Sequence, residues 1–166
     1  MVYKITNVLD TLLDIPTASA HCDIPCKIYD PSAAQVAAAT IVRLIDIVNE
    51  TLKSEDVMSL VGQNTIARCV MRKEEEAEKV KHEVRIIWGD YFKAPQFEKF
   101  PEIHELTHNI MMKASACKQG VAREDGEALA ELLNQFAEIF WATKDVKIAR
   151  HNSPNLPNLS TVYPSL

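Results

Sequence analysis

Residues 30–53 read DPSAAQVAAATIVRLIDIVNETLK, and this stretch decides the fold that the sequence predicts. Asp30 followed by Pro31 is a typical helix start, because aspartate caps free backbone N–H groups and proline suits the first helical position. The apolar residues that follow recur at helical spacing and predict one apolar face. That face comprises Val36, Ile41, Leu44, Ile45 and Val48. We therefore expect an amphipathic helix that runs to about residue 53.

Three further amphipathic helices are predicted along the chain, at about 55–88, 101–118 and 122–147. The second predicted helix contains Gly62, and we expect a break near it. Residues 89–101, GDYFKAPQFEKFP, are predicted to form a loop because they contain two prolines. Four amphipathic helices with short connections predict an all-α fold, an antiparallel four-helix bundle.

The composition excludes several classes of protein. The chain has 166 residues, 47% of them apolar, and only 4 glycines, which favours a helical globular domain. Its net charge of −5 argues against a nucleic-acid partner. No apolar run approaches the ~20 residues of a membrane span, so we expect no membrane partner. Cys69 and Cys117 lie within helical patterns and are expected to be buried thiols.

The two ends of the chain differ from the predicted bundle. Residues 1–20 end in Ala-Ser-Ala, which fits cleavage after Ala20, but their acids and weak basic region do not fit a secretory signal. We interpret residues 1–20 as a cleavable leader of a cytoplasmic protein, and an ordinary N-terminal strand or helix is the alternative. Residues 149–166 contain three prolines and are expected to form a disordered tail or an extended arm on a neighbouring subunit.

A dense group of metal donors follows directly after Ala20. Cleavage there would give His21 a free α-amine, and this amine, the Cys22 backbone nitrogen and the Cys22 sulfur could chelate one metal. The Cys26 sulfur could complete the plane and the His21 imidazole could approach from above. Such nitrogen and thiolate donors suit Ni(II) or Cu(II). An inert turn between two cysteines remains the alternative on these residues alone.

Three segments resemble one protein family, the nickel superoxide dismutases. HCDIPCKIYDP, residues 21–31, resembles the metal-binding hook of the family, which places this hook at the N-terminus of the predicted bundle. WGDYFKAPQFEKFPEIHEL, residues 88–106, and IFWATK, residues 139–144, resemble its aromatic loop and its last helix. The resemblance implies a domain at residues 21–148 and a homohexamer of four-helix bundles, released from a precursor by a maturation peptidase. It also implies one nickel ion per subunit and superoxide as the substrate, converted to oxygen and hydrogen peroxide.

The resemblance also implies roles for individual residues. His21, Cys22 and Cys26 would be the metal ligands. Tyr29 would guard the substrate pocket, and Asp23 would help bind the anion or deliver protons.

Residues of the aromatic loop are implied as well. Tyr91 and Lys93 would order the hook. Lys27 and Lys93 are candidates for a positive field that attracts superoxide in spite of the net negative charge.

The chain departs from the family pattern at three positions. Lys27 replaces a glycine, and lysine adopts a positive φ only at a cost. Counting without gaps, Ala37 stands where the family has a glutamate that supports the axial histidine, and Glu76 stands where it has the paired arginine. We consider two interpretations of Glu76: a relocated acceptor for the His21 imidazole, or a solvated acid in a charged helix.

Two other functions compete with the dismutase. The first is a non-catalytic nickel-binding helical-bundle protein that keeps the hook without efficient turnover. The second is a thiol redox protein using Cys22 and Cys26, which the spacing disfavours because it is not Cys-x-x-Cys. His104 and His108 are four residues apart on one predicted helix face, but we expect structural or surface roles because no complete zinc motif surrounds them.

Overall fold

The computed structural model describes residues 27–165. Five α-helices and two strands follow in chain order: α1 Ser32–Leu52, α2 Leu60–Ile86, α3 Ala94–Lys99, α4 Ile103–Gln119, α5 Arg123–Ala142, β1 Ile148–Asn152 and β2 Ser160–Pro164. The four long helices pack as a closed bundle, in which α1 and α4 each contact both α2 and α5. Short connections between consecutive neighbours give the antiparallel arrangement, so the predicted all-α four-helix bundle is confirmed.

The start of α1 follows from the predicted Asp-Pro signal. The Asp30 carboxylate accepts a hydrogen bond from the Ser32 backbone N–H at 2.7 Å. The Pro31 carbonyl accepts from the N–H groups of Ala34 and Gln35, each at 3.1 Å. These bonds satisfy donors that a helix N-terminus otherwise leaves free, and they fix where the chain of the hook enters the bundle.

The predicted break near Gly62 is wrong. A 3₁₀ turn at Glu55–Met58 precedes α2, and Ser59 caps α2 by accepting from the Gly62 N–H at 3.0 Å. The glycine serves a close approach, because a Cβ at position 62 would lie 2.1 Å from the Asp56 carbonyl oxygen. The helix is therefore continuous through Gly62 and interrupted before it.

Small residues set the buried face of α1. Ala34, Ala37 and Ala38 are fully buried beside Ile41 and Ile45. Val36, predicted on this face, is 63% exposed because the alanines determine which side of the helix faces the core. By length and composition α1 is apolar enough to cross a membrane, in contrast to the expectation from sequence, but core helices of bundles pass the same test.

The segment predicted as a loop at residues 89–101 contains regular structure. A π-helical turn, Ile87–Tyr91, follows α2 directly, and α3 occupies Ala94–Lys99. The prediction is wrong because the Gln96 side chain folds back and accepts from the Lys93 backbone N–H at 3.1 Å, which caps the start of α3. Pro95 lies in the first turn of this helix, where proline is tolerated.

The C-terminal segment forms a hairpin on its own bundle, so the predicted disordered tail or extended arm is wrong. Strands β1 and β2 pair antiparallel in a register that runs from Ile148↔Pro164 to Asn152↔Ser160. Val162 of β2 is 1% exposed, and β2 packs against α5. Proline excludes a helix here but is compatible with the end of a two-stranded hairpin, where Pro164 lies.

Two charged residues in the middle of α2, Lys73 and Glu76, are buried. Lys73 is 1% exposed and donates to the Cys117 carbonyl and, at 2.9 Å, to the Lys118 carbonyl at the end of α4. An ammonium at a helix C-terminus is favourable, although burial lowers the pKa of Lys73.

Cys69 and Cys117 are free buried thiols, as predicted, and burial raises the pKa of Cys117 to about 11.

Candidate metal centre

The expected ligands His21, Cys22 and Cys26, together with Asp23, lie outside the described residues 27–165. The structure describes the residues that follow them, from Lys27 onward. Lys27 has a φ of 51°, in the left-handed region that a glycine would enter freely. A left-handed conformation costs an ordinary L-residue roughly 1–2 kcal/mol. Lys27 therefore adopts the left-handed conformation whose free-energy cost we expected when lysine replaces glycine.

Tyr29 and Tyr91, two of the predicted site residues, lie side by side although 62 positions separate them in the sequence. Their ring centroids are 5.6 Å apart at an interplanar angle of 53°. Tyr91 is the last residue of the π-helical turn, which the Phe92 N–H closes by donating to the Ile87 carbonyl at 3.2 Å. Such turns re-aim side chains and are frequent at functional sites. The site therefore joins the entrance of α1 to the end of α2.

A chain of two hydrogen bonds orients the Tyr91 ring. The Thr143 hydroxyl donates to the Phe140 carbonyl at 2.6 Å, which uses its single hydrogen. The bond between the Tyr91 and Thr143 hydroxyls, also 2.6 Å, is therefore one in which Tyr91 donates. The phenolic proton of Tyr91 points toward the end of α5, and the ring packs on Phe140 with centroids 4.9 Å apart.

Lys144 is a site residue that sequence reasoning missed. Its ammonium lies 5.0 Å from the centroid of the Tyr91 ring and 5.0 Å from that of Phe140. Within residues 27–165 it forms no ion pair, so its charge is not neutralised by a carboxylate there. Its place as the last residue of IFWATK, one of the three family-like segments, was the available signal.

The other predicted lysines differ from Lys144 in their surroundings. Lys93 is exposed, and its ammonium donates to the Gly89 carbonyl of its own loop at 3.2 Å. Lys27 is exposed at the start of the described chain. Of the three cations, Lys144 therefore has the direct contact with an aromatic ring of the predicted site.

Glu76 is buried, with 5% of its surface exposed, so its interpretation as a solvated acid is wrong. One carboxylate oxygen lies 2.6 Å from the Arg72 guanidinium, one helical turn earlier on α2. Arg72 also contacts the exposed Glu75 at 3.0 Å. Ala37 is fully buried in α1. A carboxylate–arginine pair is thus present, but α2 supplies both partners.

His104 and the two tryptophans support the fold. The Trp88 indole N–H donates to His104 Nδ1 at 3.2 Å, and the His104 ring stacks on Phe97 with centroids 4.4 Å apart. Trp88 and Trp141 are partly buried against the core. Across residues 27–165, no group of three or more histidine, cysteine, aspartate or glutamate side chains is arranged to hold a metal ion.

Comparisons with known proteins point to one family. The family described as nickel-containing superoxide dismutase matches residues 16–144. The chain is 37% identical over 128 residues to Superoxide dismutase [Ni] of Streptomyces coelicolor (strain ATCC BAA-471 / A3(2) / M145), covering 77% of this chain and 91% of the relative. It is 34% identical over 126 residues to Superoxide dismutase [Ni] of Streptomyces seoulensis, covering 76% and 89%.

Solved structures show the same likeness. The native nickel superoxide dismutase structure at 1.30 Å superposes with a TM-score of 0.63 at 35% identity, covering 75% of this chain and 99% of that chain. A nickel superoxide dismutase in the oxidised state gives a TM-score of 0.64 at 33% identity, with the same coverage. The chain belongs to the nickel-containing superoxide dismutase family.

Proposed function

We propose that this protein is a nickel-dependent superoxide dismutase that converts two superoxide anions and two protons to oxygen and hydrogen peroxide. The observation that carries the proposal is the pairing of Tyr29 with Tyr91 at the point where the hook sequence enters α1. Tyr29 follows Cys26 by three residues, so the aromatic pair and the metal donors belong to one short stretch of chain. Membership of the family supports the same activity.

The donor set fits nickel, and His21, Cys22 and Cys26 are the residues that would hold it, one ion per subunit. Two thiolates and an amide nitrogen are strong electron donors, of the kind that bind Ni(II) well. When bound, nickel supplies one-electron redox chemistry between its divalent and trivalent states. The α-amine of His21 exists only after residues 1–20 are removed, and we therefore include a maturation peptidase in the proposal.

The two tyrosines have different parts in the proposed site. Tyr91 donates its phenolic proton to Thr143, so it is a positioning residue whose ring forms one wall beside Tyr29. Proton delivery and anion binding are then left to Tyr29 and Asp23. Tyr29 limits access to the pocket, which favours a small anion over larger oxidants.

Positive charge near the aromatic pair supports attraction of superoxide. Lys144 lies against the Tyr91 ring, and Lys27 and Lys93 flank the same region of the chain. A local positive field can raise the association rate of an anion even when the net charge of the protein is −5. We assign the largest part of this field to Lys144, because its ammonium lies 5.0 Å from the centroid of the Tyr91 ring.

Glu76 is our candidate for supporting the His21 imidazole. A metal-bound histidine generally needs an acceptor for its other ring nitrogen. The burial of Glu76 and the small side chain of Ala37 are consistent with a carboxylate that moved from α1 to α2. Arg72 would then hold the carboxylate in place from one turn away.

We further propose that the protein is a homo-oligomer, a hexamer. Apolar side chains are exposed at the start of α2 and along its outer face: Met58, Leu60, Val61 and Met71 are each at least 60% exposed. Met71 also lines an apolar groove of about 390 Å³, together with Leu44, Ile47 and Cys69 among others. Apolar surface of this extent supports contact with a second copy of the chain.

Replacement of the ligands tests the proposal. In protein trimmed to begin at His21, Cys22→Ser and Cys26→Ser should abolish nickel binding and dismutase activity, because a hydroxyl is a much weaker donor than a thiolate. His21→Ala should keep part of the nickel and lose most of the activity. Cys69→Ser is the matched control and should keep both. Full nickel binding in the Cys22 and Cys26 variants would overturn the proposal.

A further inference from the structure

The C-terminal hairpin, residues 148–164, lies beyond the part of the chain that the family matches, which ends at residue 144. It packs against α5, and its second strand places Val162 in a buried position. Its contacts with the rest of the protein therefore indicate what it adds.

One partly buried polar cluster joins the hairpin to two helices. Asn134, 3% exposed in the middle of α5, accepts from the Val162 N–H at 3.0 Å and donates to the Ser160 carbonyl at 2.8 Å. Gln35 of α1 donates to the Asn134 side-chain oxygen at 3.2 Å and to the Val162 carbonyl at 3.2 Å. Both backbone groups of Val162 are thus bound by side chains from different helices. We name Gln35, Asn134, Ser160 and Val162 the polar lock.

The polar lock acts on the turn of α1 that carries the hook. The Gln35 N–H donates to the Pro31 carbonyl, and Pro31 follows Asp30 and Tyr29 directly. Gln35 lies six positions after Tyr29, whose ring lies against Tyr91. Fixing Gln35 therefore fixes the first turn of α1, and with it the direction in which residues 27–30 leave the bundle.

We propose that the hairpin is a brace for the hook, in which Asn134 and Gln35 are positioning residues that hold the first turn of α1. The inference rests on the proposed function for its consequence, nickel retention, but the bracing itself is a property of the protein without metal. Lys27, with its φ of 51°, is a strained residue at the base of the hook, and the brace would hold the backbone in this conformation. The strain would otherwise relax by fraying of the first turn.

Amide hydrogen exchange in the metal-free full chain tests the brace directly. Asn134→Leu removes the polar side chain of the lock, and we expect exchange at residues 32–38 to accelerate at least tenfold while residues 106–114 of α4 change less than twofold. Arg150→Ala is the matched control. It removes the ion pairs of the hairpin with Glu131 and Glu138, leaves the polar lock intact, and should not change exchange at residues 32–38.

A second variant keeps the test decisive. In a chain that ends at Lys147, exchange at residues 32–38 should be as fast as in Asn134→Leu, and adding Asn134→Leu to this shorter chain should have no further effect there. Acceleration of equal size in all helices, or no acceleration at residues 32–38, would overturn the proposal.

Nickel release into a chelator from the trimmed, loaded protein gives the functional readout. We expect it to be several-fold faster in Asn134→Leu than in Arg150→Ala. If the trimmed wild-type protein binds no nickel, the proposed function fails while the exchange result still decides the brace. If release is equal in the two variants, the polar lock does not serve the hook.

Discussion

The Glu76 carboxylate lies 2.6 Å from the guanidinium of Arg72, and α2 holds this pair with the acid buried and the arginine half exposed. Burying the Glu76 carboxylate costs free energy, because a single partner compensates only part of its lost hydration. The family pattern places an acid on the first helix and an arginine on the second. Here one helix provides both charges.

Replacing this acid tests the proposed support of His21. Glu76→Gln in trimmed protein should lower dismutase activity by about tenfold or more, the usual effect of losing a partner behind a metal ligand. Glu75→Gln is the matched control, since Glu75 contacts the same Arg72 at 3.0 Å but is exposed. Activity and nickel content would be measured together. Equal loss in both variants would remove Glu76 from the site and favour a protein that binds nickel without efficient turnover.

Lys144 provides a second prediction, on the rate of substrate capture. Lys144→Gln should lower kcat/KM severalfold at low ionic strength, and the difference from wild type should shrink as salt is added, because salt screens the field of an exposed cation. Lys99→Gln is the control. Lys99 also lies over an aromatic ring, with its ammonium 5.3 Å from the Phe100 centroid, but outside the Tyr29 and Tyr91 pair. The same salt-dependent loss in Lys99→Gln would contradict the assignment.

Cys117 predicts a pH dependence of stability. Burial raises the pKa of its thiol to about 11 in the folded protein, from about 9 when unfolded. The folded state therefore keeps a proton on this thiol that the unfolded state loses, and the contribution of Cys117 to stability falls as the pH rises from about 9 to about 11. A shift of this size corresponds to roughly 2–3 kcal/mol in the free energy of unfolding.

Denaturant unfolding between pH 8 and pH 11 would measure this loss. Cys117→Ala should be less stable than wild type at pH 8, because it leaves a cavity, but its stability should fall less steeply above pH 9. Cys69→Ala is the control, with a thiol whose pKa burial also raises but which is less enclosed. Parallel pH profiles for wild type and Cys117→Ala would contradict the prediction.

The elements that the sequence predicted correctly are those fixed by local pattern. The Asp30-Pro31 helix start and the burial of Ile41, Ile45 and Val48 on one face of α1 each depend on a few neighbouring residues. A long specific motif, residues 21–31, indicated the family in the same way.

What the sequence did not predict depends on distant partners. The hairpin forms because Asn134 binds strand residues more than 25 positions away. Lys73 is buried because the carbonyls at the end of α4 accept its ammonium. Lys144 joins the site only when α5 ends beside the π-helical turn. Local periodicity contains no information on such pairings between distant residues.

The central claim is that this chain becomes a nickel superoxide dismutase when His21 becomes its first residue. The most direct measurement is nickel content and dismutase activity of protein that begins at His21, compared with the full 166-residue chain verified by mass spectrometry. We predict one nickel per subunit and high activity in the trimmed protein, and little of either in the full chain, because the α-amine ligand does not exist there. High activity in a chain that retains residues 1–20, or none in a nickel-supplied chain that begins at His21, would contradict the account.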